Sequence, residues 1–234
     1  MTGIFYGVGV GPGDPELLTV KAINAIREAD IIIAPKTEKK EDSTALTIAQ
    51  PFLKESVKIV KLVFPMVFHS DTLSEAWQIN KNTILEFLAA GKKVVFLTLG
   101  DPMFYSTYIY IFRLINGCGY TIETIPGVPA FCAIGSKLGY PLVEGNDVLS
   151  VIPATIPDAE LDIAIANADN IVLMKVYKNY KQVLEKLKYH GFAENAVMIS
   201  RCGFEDEQVV HNLNDATNQP LNYLSTILAR RNKL

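Results

Sequence analysis

Three glycine-containing turns are the parts of this sequence whose residue types and spacing could bind a ligand. Each turn ends a short apolar run and precedes a helix-like pattern, and the three segments span residues 7–15, 97–107 and 125–131. Glycine lets a ligand approach the backbone closely, and the first turn of the following helix presents N–H groups with no partner inside the helix. The pattern is therefore typical of strand–turn–helix units that face a small molecule.

The first turn, residues 7–15, has the glycine content of a phosphate-binding loop, but two details disfavour a dinucleotide. The second predicted strand ends in alanine and proline at positions 34–35, where an acidic residue would hold ribose hydroxyls, and Asp30 is at its start. Pro12 lacks an N–H group, and Asp14 brings negative charge to the place of a phosphate. The residues alone leave open a phosphate loop, a tight turn and a loop facing another ligand.

The second and third turns each have a structural alternative as well. Asp101 could accept hydrogen bonds from a ligand amine or hydroxyl, although Asp-Pro is also ordinary turn chemistry. The small residues at 126–130 would let a ligand approach, or simply form a strand-to-helix turn. If the three strands are parallel neighbours, all three turns lie at one edge of one sheet. We then expect a ligand cleft between that edge and the second half of the chain.

Hydrophobic periodicity predicts the strands and helices that position these turns. Together they indicate an α/β fold with two domains, 1–118 and 119–234. The first domain alternates strands and helices, which is typical of a parallel sheet, and is expected on the substrate side of the cleft. Its strands are predicted at 4–10, 30–34, 57–63 and 93–99, and its helices at 17–28, 72–90 and 106–116. The alternating pattern ends with a further predicted strand at 121–125, just past the predicted boundary. The first helix is expected to start at Asp14, as cap, and Pro15.

The second domain is predicted to have a mixed sheet, because its last two strands follow each other with little helix between them. Its predicted strands are 149–152, 170–176, 196–200, 208–213 and 222–229, and its helices are 129–138, 158–168 and 177–189.

Composition excludes several other classes of function. The 234 residues carry a net charge of -3, which disfavours nucleic-acid binding. No apolar run approaches the roughly 18 residues that span a membrane, and no secretory signal is visible, so a cytoplasmic protein is expected. The cysteines (Cys118, Cys132 and Cys202) and the three histidines lack metal-ligand spacing, so we expect neither disulfide nor metal.

The three turns, in this order and spacing, resemble the motifs of the tetrapyrrole methylase family. The matching segments run from Gly9 to Thr19, from Gly100 to Pro102 and from Pro126 to Ala130. Three further stretches are similar to the branch that methylates C20 of precorrin-2 or cobalt-factor II in cobalamin biosynthesis. They are residues 98–107, 138–145 and 223–231.

The resemblance implies an S-adenosylmethionine-dependent methyltransferase with two α/β domains, a methyl-donor cleft between them, and a homodimer. Donor contacts would fall on the three turns and on the second domain. The residues are Pro12, then Leu99, Gly100, Asp101 and Phe104, then Pro129 and Ala130, and in the second domain Met174, Gly203 and Leu224. Gly203 and Leu224 match the family motif more loosely than the others. Pro129 stands where the family often has a hydroxyl residue, so a side-chain hydroxyl contact to the donor is absent there.

The implied reaction needs a proton acceptor and partners for the carboxylates of a corrin precursor. Asp101, Asp14 or water could take the proton that leaves the methylated carbon. The basic candidates for the carboxylates are Lys36, Lys39, Lys40 and Arg201. The alternatives are methylation of another tetrapyrrole carbon, of diphthine or of ribosomal RNA, the last disfavoured by the acidic balance. A dinucleotide-dependent reductase or a nucleotide-binding module is the alternative from another class.

Overall fold

The computed structural model describes residues 2–36, 43–64, 70–217 and 220–231. The chain divides into two compact units, Met1–Pro129 and Ala130–Leu234. Within the described residues, no helix is both long enough and apolar enough to cross a membrane.

The first unit is built on a five-stranded sheet with the order β3-β2-β4-β1-β5, in which every neighbouring pair is parallel. Its strands are β1 (Ile4–Gly9), β2 (Ile31–Lys36), β3 (Lys58–Val63), β4 (Lys93–Thr98) and β5 (Thr121–Ile125). The sheet confirms the predicted parallel α/β class. Because all strands point the same way, their carboxyl ends share one edge.

Helices join the strands of the first unit: α1 (Val20–Glu28), α2 (Thr44–Ala49), α3 (Ser70–Ala89) and α4 (Tyr108–Ile115). On one face of the sheet, side chains of α3 and α4 pack against the strands in a cluster of aromatic and branched residues, including Phe5, Phe96 and Ile84. Ile32, Val95 and Leu97 alternate with the strand residues of that cluster and are also buried, so the opposite face is covered too. Helices α1 and α2 contact these strands.

The strand order reverses between β1 and β4, which are neighbours in the sheet. From β1 the chain passes through α1 to β2 on one side, whereas from β4 it passes through α4 to β5 on the other. Ligands of open α/β sheets bind at the carboxyl ends of strands at such a switch point. The first and second glycine turns leave β1 and β4 at this place.

The second unit has a mixed sheet with the order β6-β7-β10-β8-β9, as the sequence predicts. Its strands are β6 (Leu149–Pro153), β7 (Asn170–Met174), β8 (Ala196–Ser200), β9 (Gln208–Val210) and β10 (Ser225–Arg230), and its helices are α5 (Ala130–Leu138), α6 (Asp158–Ala166) and α7 (Tyr180–Tyr189). β6 pairs with β7 in parallel, whereas β10 is antiparallel to both β7 and β8. The start of β10 therefore lies at the edge where β7 and β8 end.

The boundary between the units differs from the predicted one at residues 118/119. β5 follows that position and yet pairs with β1 in the first sheet, so the first unit extends to Pro129. The absence of any linker composition explains the difference, because the apolar pattern of β5 fits either sheet.

The predicted start of the first helix is wrong. Asp14 caps only a 3-10 turn at Pro15–Leu17, and the α-helix begins at Val20, where the Thr19 hydroxyl accepts a hydrogen bond from the Ala22 N–H. The chain around Leu18 is extended between the two helical segments. α2 was not predicted at all; a helix of six residues is too short for hydrophobic periodicity to show it.

Candidate active site

The three glycine turns lie side by side at the carboxyl edge of the first sheet. Of the three strands that precede the turns, β1 lies in the middle: Gly9 is paired to Thr98 of β4, and Val8 is paired to Ile125 of β5. The turns after β4 and β5 therefore flank the turn after β1. This confirms that the strands are parallel neighbours and that their turns share one edge.

The turns touch through glycine backbone, which leaves no room for side chains. A Cβ on Gly9 would lie 2.6 Å from the Gly100 carbonyl oxygen and 2.6 Å from the Gly127 nitrogen. A Cβ on Gly127 would lie 2.2 Å from the same Gly100 oxygen. Contacts this short with backbone cannot be relieved by moving a side chain. The glycines at positions 9 and 127 are therefore required by packing between turns.

Gly100 differs, because its free side is open. Its φ of +69° is in the left-handed region, and a Cβ there would have one neighbour within 4 Å among the described residues, the Val128 carbonyl oxygen at 3.9 Å. The Gly100 N–H donates to the Gly11 carbonyl at 2.8 Å, and the Gly11 N–H donates back at 3.3 Å. The backbone of this turn is thus held in place while one side of it can be approached. Pro12 follows directly after this bridge.

Asp101 ties the second turn to the third. Its Oδ2 accepts a hydrogen bond from the Gly127 N–H at 3.1 Å, and its Oδ1 accepts one from the Met103 N–H at 2.8 Å. Both oxygens are therefore engaged by backbone donors. Asp101 therefore positions the second and third turns relative to each other. Asp14, in contrast, accepts one hydrogen bond, from the exposed Glu16 N–H to one of its oxygens.

A buried polar network supports the second turn from behind. The Thr98 and Ser106 hydroxyls lie 2.7 Å apart, and Ser106 Oγ accepts a hydrogen bond from the Tyr108 N–H at 3.0 Å. The Tyr108 hydroxyl lies 2.8 Å from Thr124 Oγ1, and burial raises the pKa of this phenol. A Cβ on Gly7 would lie 2.0 Å from the Tyr108 ring. Sequence reasoning missed this support; the only available signal was Gly7, a small residue inside a strand.

Residues 103–105 form an apolar part of the second turn. Met103 and Tyr105 are exposed, and the Phe104 and Tyr105 rings meet edge to face with centroids 4.7 Å apart. Tyr105 has a φ of 47°, an unfavourable conformation for a bulky residue.

In the second unit, the structure brings Met174 and Leu224 to one sheet edge, with Gly203 in the turn beside them. Met174 is the last residue of β7 and pairs with Thr226 of β10. Leu224 directly precedes β10, and its carbonyl accepts a hydrogen bond from the Arg201 N–H at 3.0 Å. Gly203 lies two residues after Arg201 and has a φ of 82°, and its N–H donates to the Glu207 carboxylate at 2.7 Å.

The remaining donor candidates, Pro129 and Ala130, stand at the junction of the two units. Pro129 ends the first unit, and Ala130 is the first residue of α5. A helix that starts at this turn presents the unpaired N–H groups of its first residues.

The basic candidates are distributed over different elements. Lys36 is the last residue of β2, at the same carboxyl edge as the three turns. Arg201 follows β8 directly, and its Nε donates to Asp206 at 2.5 Å. Lys39 and Lys40 lie outside the described residues. In the part of the chain that the structure describes, no group of three or more His, Cys, Asp or Glu residues could hold a metal ion.

Residues 5–216 match the sequence profile of the family described as Tetrapyrrole (Corrin/Porphyrin) Methylases. The chain belongs to this family. The match covers well over half of the sequence and includes all three glycine turns.

Two relatives give the resemblance more detail. The chain is 36% identical to the cobalt-precorrin-2 C(20)-methyltransferase of Salmonella typhimurium, over 99% of this chain and 98% of the relative. It is 35% identical to the precorrin-2 C(20)-methyltransferase of Sinorhizobium sp., over 85% of this chain and 84% of the relative.

Solved structures show the same tetrapyrrole methylase fold. A cobalt precorrin-4 methyltransferase involved in cobalamin biosynthesis superposes with a TM-score of 0.76 at 25% identity, over 97% of this chain and 94% of its own. The uroporphyrin-III C-methyltransferase of Thermus thermophilus, solved in complex with S-adenosylhomocysteine, has a TM-score of 0.68 at 22% identity, with 96% of each chain covered.

Proposed function

We propose that this chain is an S-adenosylmethionine-dependent methyltransferase that methylates C20 of precorrin-2 or cobalt-factor II in cobalamin biosynthesis. The observation that carries this proposal is the 36% identity to a C(20)-methyltransferase over nearly the full length of both chains. The second relative, of similar identity, acts on the metal-free precursor. The two relatives together leave both substrates open for this chain.

The first unit fits a methyl donor at the second glycine turn. Gly100 is open on one side and is held by two hydrogen bonds to Gly11, so a ligand can meet a rigid backbone there. We assign the donor contacts to the residues of this turn and its neighbours, with a contribution from the second unit. They are Pro12, Leu99, Gly100, Asp101, Phe104, Pro129, Ala130, Met174, Gly203 and Leu224.

The donor supplies a methyl group on a positively charged sulfur, a reaction that needs no metal and no covalent enzyme intermediate. The task of the chain is then to hold donor and macrocycle in line and to exclude water, which can contribute roughly 7–11 kcal/mol. Asp101 serves this task by fixing the third turn against the second through the Gly127 N–H. The Gly9 and Gly127 contacts make the same arrangement rigid.

The proton that leaves the methylated carbon needs an acceptor, which we assign to Asp14 or to water in preference to Asp101. Both oxygens of Asp101 already accept backbone hydrogen bonds, which join the second turn to the third and occupy both oxygens. Asp14 has one such bond. An Asp14→Asn variant with an unchanged pH–rate profile would assign the proton to water.

A corrin precursor carries many carboxylates, and we assign Lys36 and Arg201, with Lys39 and Lys40, to meet them. Lys36 qualifies because it ends β2 at the same edge as the glycine turns. We also propose that the protein works as a cytoplasmic homodimer, as the family resemblance implies. Light scattering during gel filtration would test the dimer: a mass of about 26 kDa, that of one chain, would exclude it.

The decisive experiment is an anaerobic methyl-transfer assay with precorrin-2 and cobalt-factor II in parallel, read by mass spectrometry and by NMR of the product. Methyl transfer to C20 of either macrocycle supports the proposal and identifies the substrate. Transfer to a different carbon would support the assignment as a methyltransferase but contradict the assignment of C20 as the methylated position. If neither macrocycle is methylated although S-adenosylhomocysteine binds tightly, corrin precursors of this kind are excluded as the substrate.

The alternative from a different class, a dinucleotide-dependent reductase, is separated by ligand-induced thermal stabilisation. A ligand present at about 100 times its Kd stabilises the folded chain by about 2.7 kcal/mol. We expect S-adenosylhomocysteine to raise the Tm and NADH to leave it unchanged. The reverse result would favour the reductase.

A further inference from the structure

Glu207 is a carboxylate that the second unit keeps largely away from water. Its side chain is 15% exposed, whereas that of the neighbouring Asp206 is 64% exposed. A charge loses favourable hydration when it is buried, so it is retained in such a place only with hydrogen bonds and opposite charge around it. The partners of Glu207 therefore indicate what its charge does.

Three groups of the second unit donate to the Glu207 carboxylate. The Gly203 N–H donates to Oε2 at 2.7 Å, and the Lys137 Nζ lies 2.8 Å from each of the two oxygens. The Cys202 thiol donates a further hydrogen bond. Burial alone would raise the pKa of Glu207, but these hydrogen bonds and the charge of Lys137 lower it below its ordinary value of 4.5. Glu207 is therefore ionised at neutral pH and acts as an acceptor.

The turn that contains Glu207 joins β8 to β9 through a tightly folded backbone. Arg201 and Gly203 both have left-handed φ angles, 54° and 82°, a conformation that is unfavourable for residues other than glycine. The Phe204 N–H donates to the Arg201 carbonyl, and the Glu207 N–H donates to the Phe204 carbonyl, each at 3.1 Å. The Gly203 N–H, in contrast, is bound by the Glu207 side chain, so the shape of the turn depends on that carboxylate.

The hydrogen bond from Gly203 fixes a peptide plane beside the sheet edge that carries Met174 and Leu224. The peptide bond between Cys202 and Gly203 is trans, so a bond that fixes its N–H fixes the orientation of the whole planar unit. Glycine is otherwise the residue with the greatest backbone freedom. The backbone at Gly203 is therefore ordered by a side chain four residues further along the chain.

Lys137 connects this turn to α5. It lies in the last turn of that helix, and its side chain is half exposed. Water weakens the attraction of a half-exposed lysine for its partner, so the ion pair by itself contributes little to stability. Its charge does compensate for the hydration that the Glu207 carboxylate has lost. The main effect of Lys137 is therefore to keep Glu207 ionised and in place.

We propose that Glu207 is a positioning residue for the methyl donor, which acts by holding the Gly203 N–H, and that Lys137 holds the Glu207 carboxylate for this purpose. The inference rests on the proposed function, which assigns Gly203 to the methyl-donor contacts. It adds two residues that no motif indicated. Neither touches the methyl donor; both act through the backbone of Gly203.

The test is the Kd of S-adenosylhomocysteine, measured by calorimetry for the wild type and four variants. Glu207→Leu and Glu207→Ala remove the acceptor, and each should weaken binding at least about tenfold. Glu207→Gln keeps an acceptor oxygen, and Lys137→Met keeps the carboxylate, so each should weaken binding only about two- to fivefold. This order separates the held N–H from the ion pair, because all four variants break the ion pair equally.

Two controls and one further readout accompany these variants. Lys186→Met breaks an ion pair elsewhere in the same unit, with Asp158 and Asp162, and Lys188→Gln changes an exposed lysine at the far end of α7. Both should leave the Kd within about twofold of the wild type. The Gly203 amide, followed by NMR, should exchange its hydrogen faster in Glu207→Ala than in Glu207→Gln, which a general loss of stability would not produce.

The outcomes separate this inference from the proposed function. Tight S-adenosylhomocysteine binding by the wild type with an unchanged Kd in folded Glu207→Leu or Glu207→Ala would overturn the inference and leave the proposed function standing. Equal weakening in all four variants would also overturn it, because the ion pair and not the held N–H would then be responsible. A wild type that does not bind S-adenosylhomocysteine would reject the proposed function and this inference with it.

Discussion

At the scale of single residues, the site depends on glycines that act by different physical means. Gly9 and Gly127 are needed because their neighbours are backbone atoms closer than any side chain allows. Gly11 and Gly100 are needed because their φ angles, +75° and +69°, are unfavourable for other residues. Sequence alone shows that glycine is present at these positions but not which of the two requirements applies.

Gly127→Ala should damage both stability and donor binding. Its Cβ would lie 2.2 Å from the Gly100 carbonyl oxygen, so the second and third turns would have to separate. We expect a loss of about 2–3 kcal/mol in the free energy of unfolding, measured by urea denaturation, and at least a tenfold weaker S-adenosylhomocysteine Kd, measured by calorimetry.

The control for this substitution is Gly119→Ala, because Gly119 has a φ of +85° but no atom of the described residues would lie within 4 Å of its Cβ. It should lose about 1 kcal/mol, from backbone conformation alone, with normal donor binding. Equal donor affinity in the two variants would show that contact between the turns does not shape the donor site.

At the scale of elements, the second unit contains a buried cation that attaches the end of β10 to the segment 141–147. Arg230 is only 3% exposed and donates to Glu144 at 2.8 Å, to Asp147 at 3.4 Å and to the Pro141 carbonyl at 3.3 Å. Arg230→Met should therefore lower the free energy of unfolding by about 2–3 kcal/mol. The expected loss is smaller than for a fully buried ion pair because Glu144 is exposed and, among the described residues, the buried Arg230 Nε has no hydrogen-bond partner.

Glu144→Gln is the matched change for Arg230→Met, since it keeps an acceptor oxygen and removes only an exposed charge. We expect less than about 1 kcal/mol of destabilisation. Urea denaturation of both variants checks the pair. If Arg230→Met were as stable as Glu144→Gln, the segment 141–147 would be held by its other contacts.

An ion pair between α6 and α7 predicts a dependence of stability on pH. His190 Nε2 donates to Asp162 Oδ1 at 3.0 Å, and Lys186 lies 3.5 Å from the same oxygen. First the hydrogen bond from His190, and then the charge of Lys186, hold the pKa of Asp162 below its ordinary value of 3.8. A lowered pKa in the folded state stabilises the fold above pH 3.8, and this contribution is lost as pH falls through the folded-state pKa.

Asp162→Asn should therefore show a smaller fall in Tm than the wild type between pH 5 and pH 3. Glu160→Gln, an exposed carboxylate on the same helix, should fall like the wild type. Thermal denaturation at low salt gives the Tm of all three proteins as a function of pH. Identical profiles for Asp162→Asn and the wild type would show that the pair contributes nothing to the packing of α6 on α7.

How far the sequence could predict these elements depends on the range of the contacts that define them. The strands of the first sheet and their parallel arrangement follow from local patterns, and the structure confirms them. The contact from Asp101 to Gly127 joins residues 26 positions apart, and it exists because β1 lies between β4 and β5. Spacing along the chain does not contain that strand order. For the same reason, β5 could not be assigned to the first unit.

At the scale of the whole molecule, the two units present candidate donor residues on sheets of different construction. The first sheet is fully parallel and contributes glycine turns, whereas the second is mixed and contributes Met174, Gly203 and Leu224 beside β10. If the donor needs both sets, a substitution in either unit must weaken the same binding event. Such a result cannot come from a site that is confined to the first unit.

Asp101→Asn in the first unit and Met174→Ala in the second should each reduce the rise in Tm that S-adenosylhomocysteine produces. Asp101→Asn places an amide N–H₂ opposite a backbone N–H and so loses one of two hydrogen bonds, and Met174→Ala removes apolar contact area. We expect about a tenfold weaker Kd for each, and Lys188→Gln should match the wild type. Ligand-dependent thermal shifts and calorimetry on the full chain measure both effects. A normal shift in Met174→Ala beside a reduced one in Asp101→Asn would confine the donor to the glycine turns and exclude Met174 from its contacts.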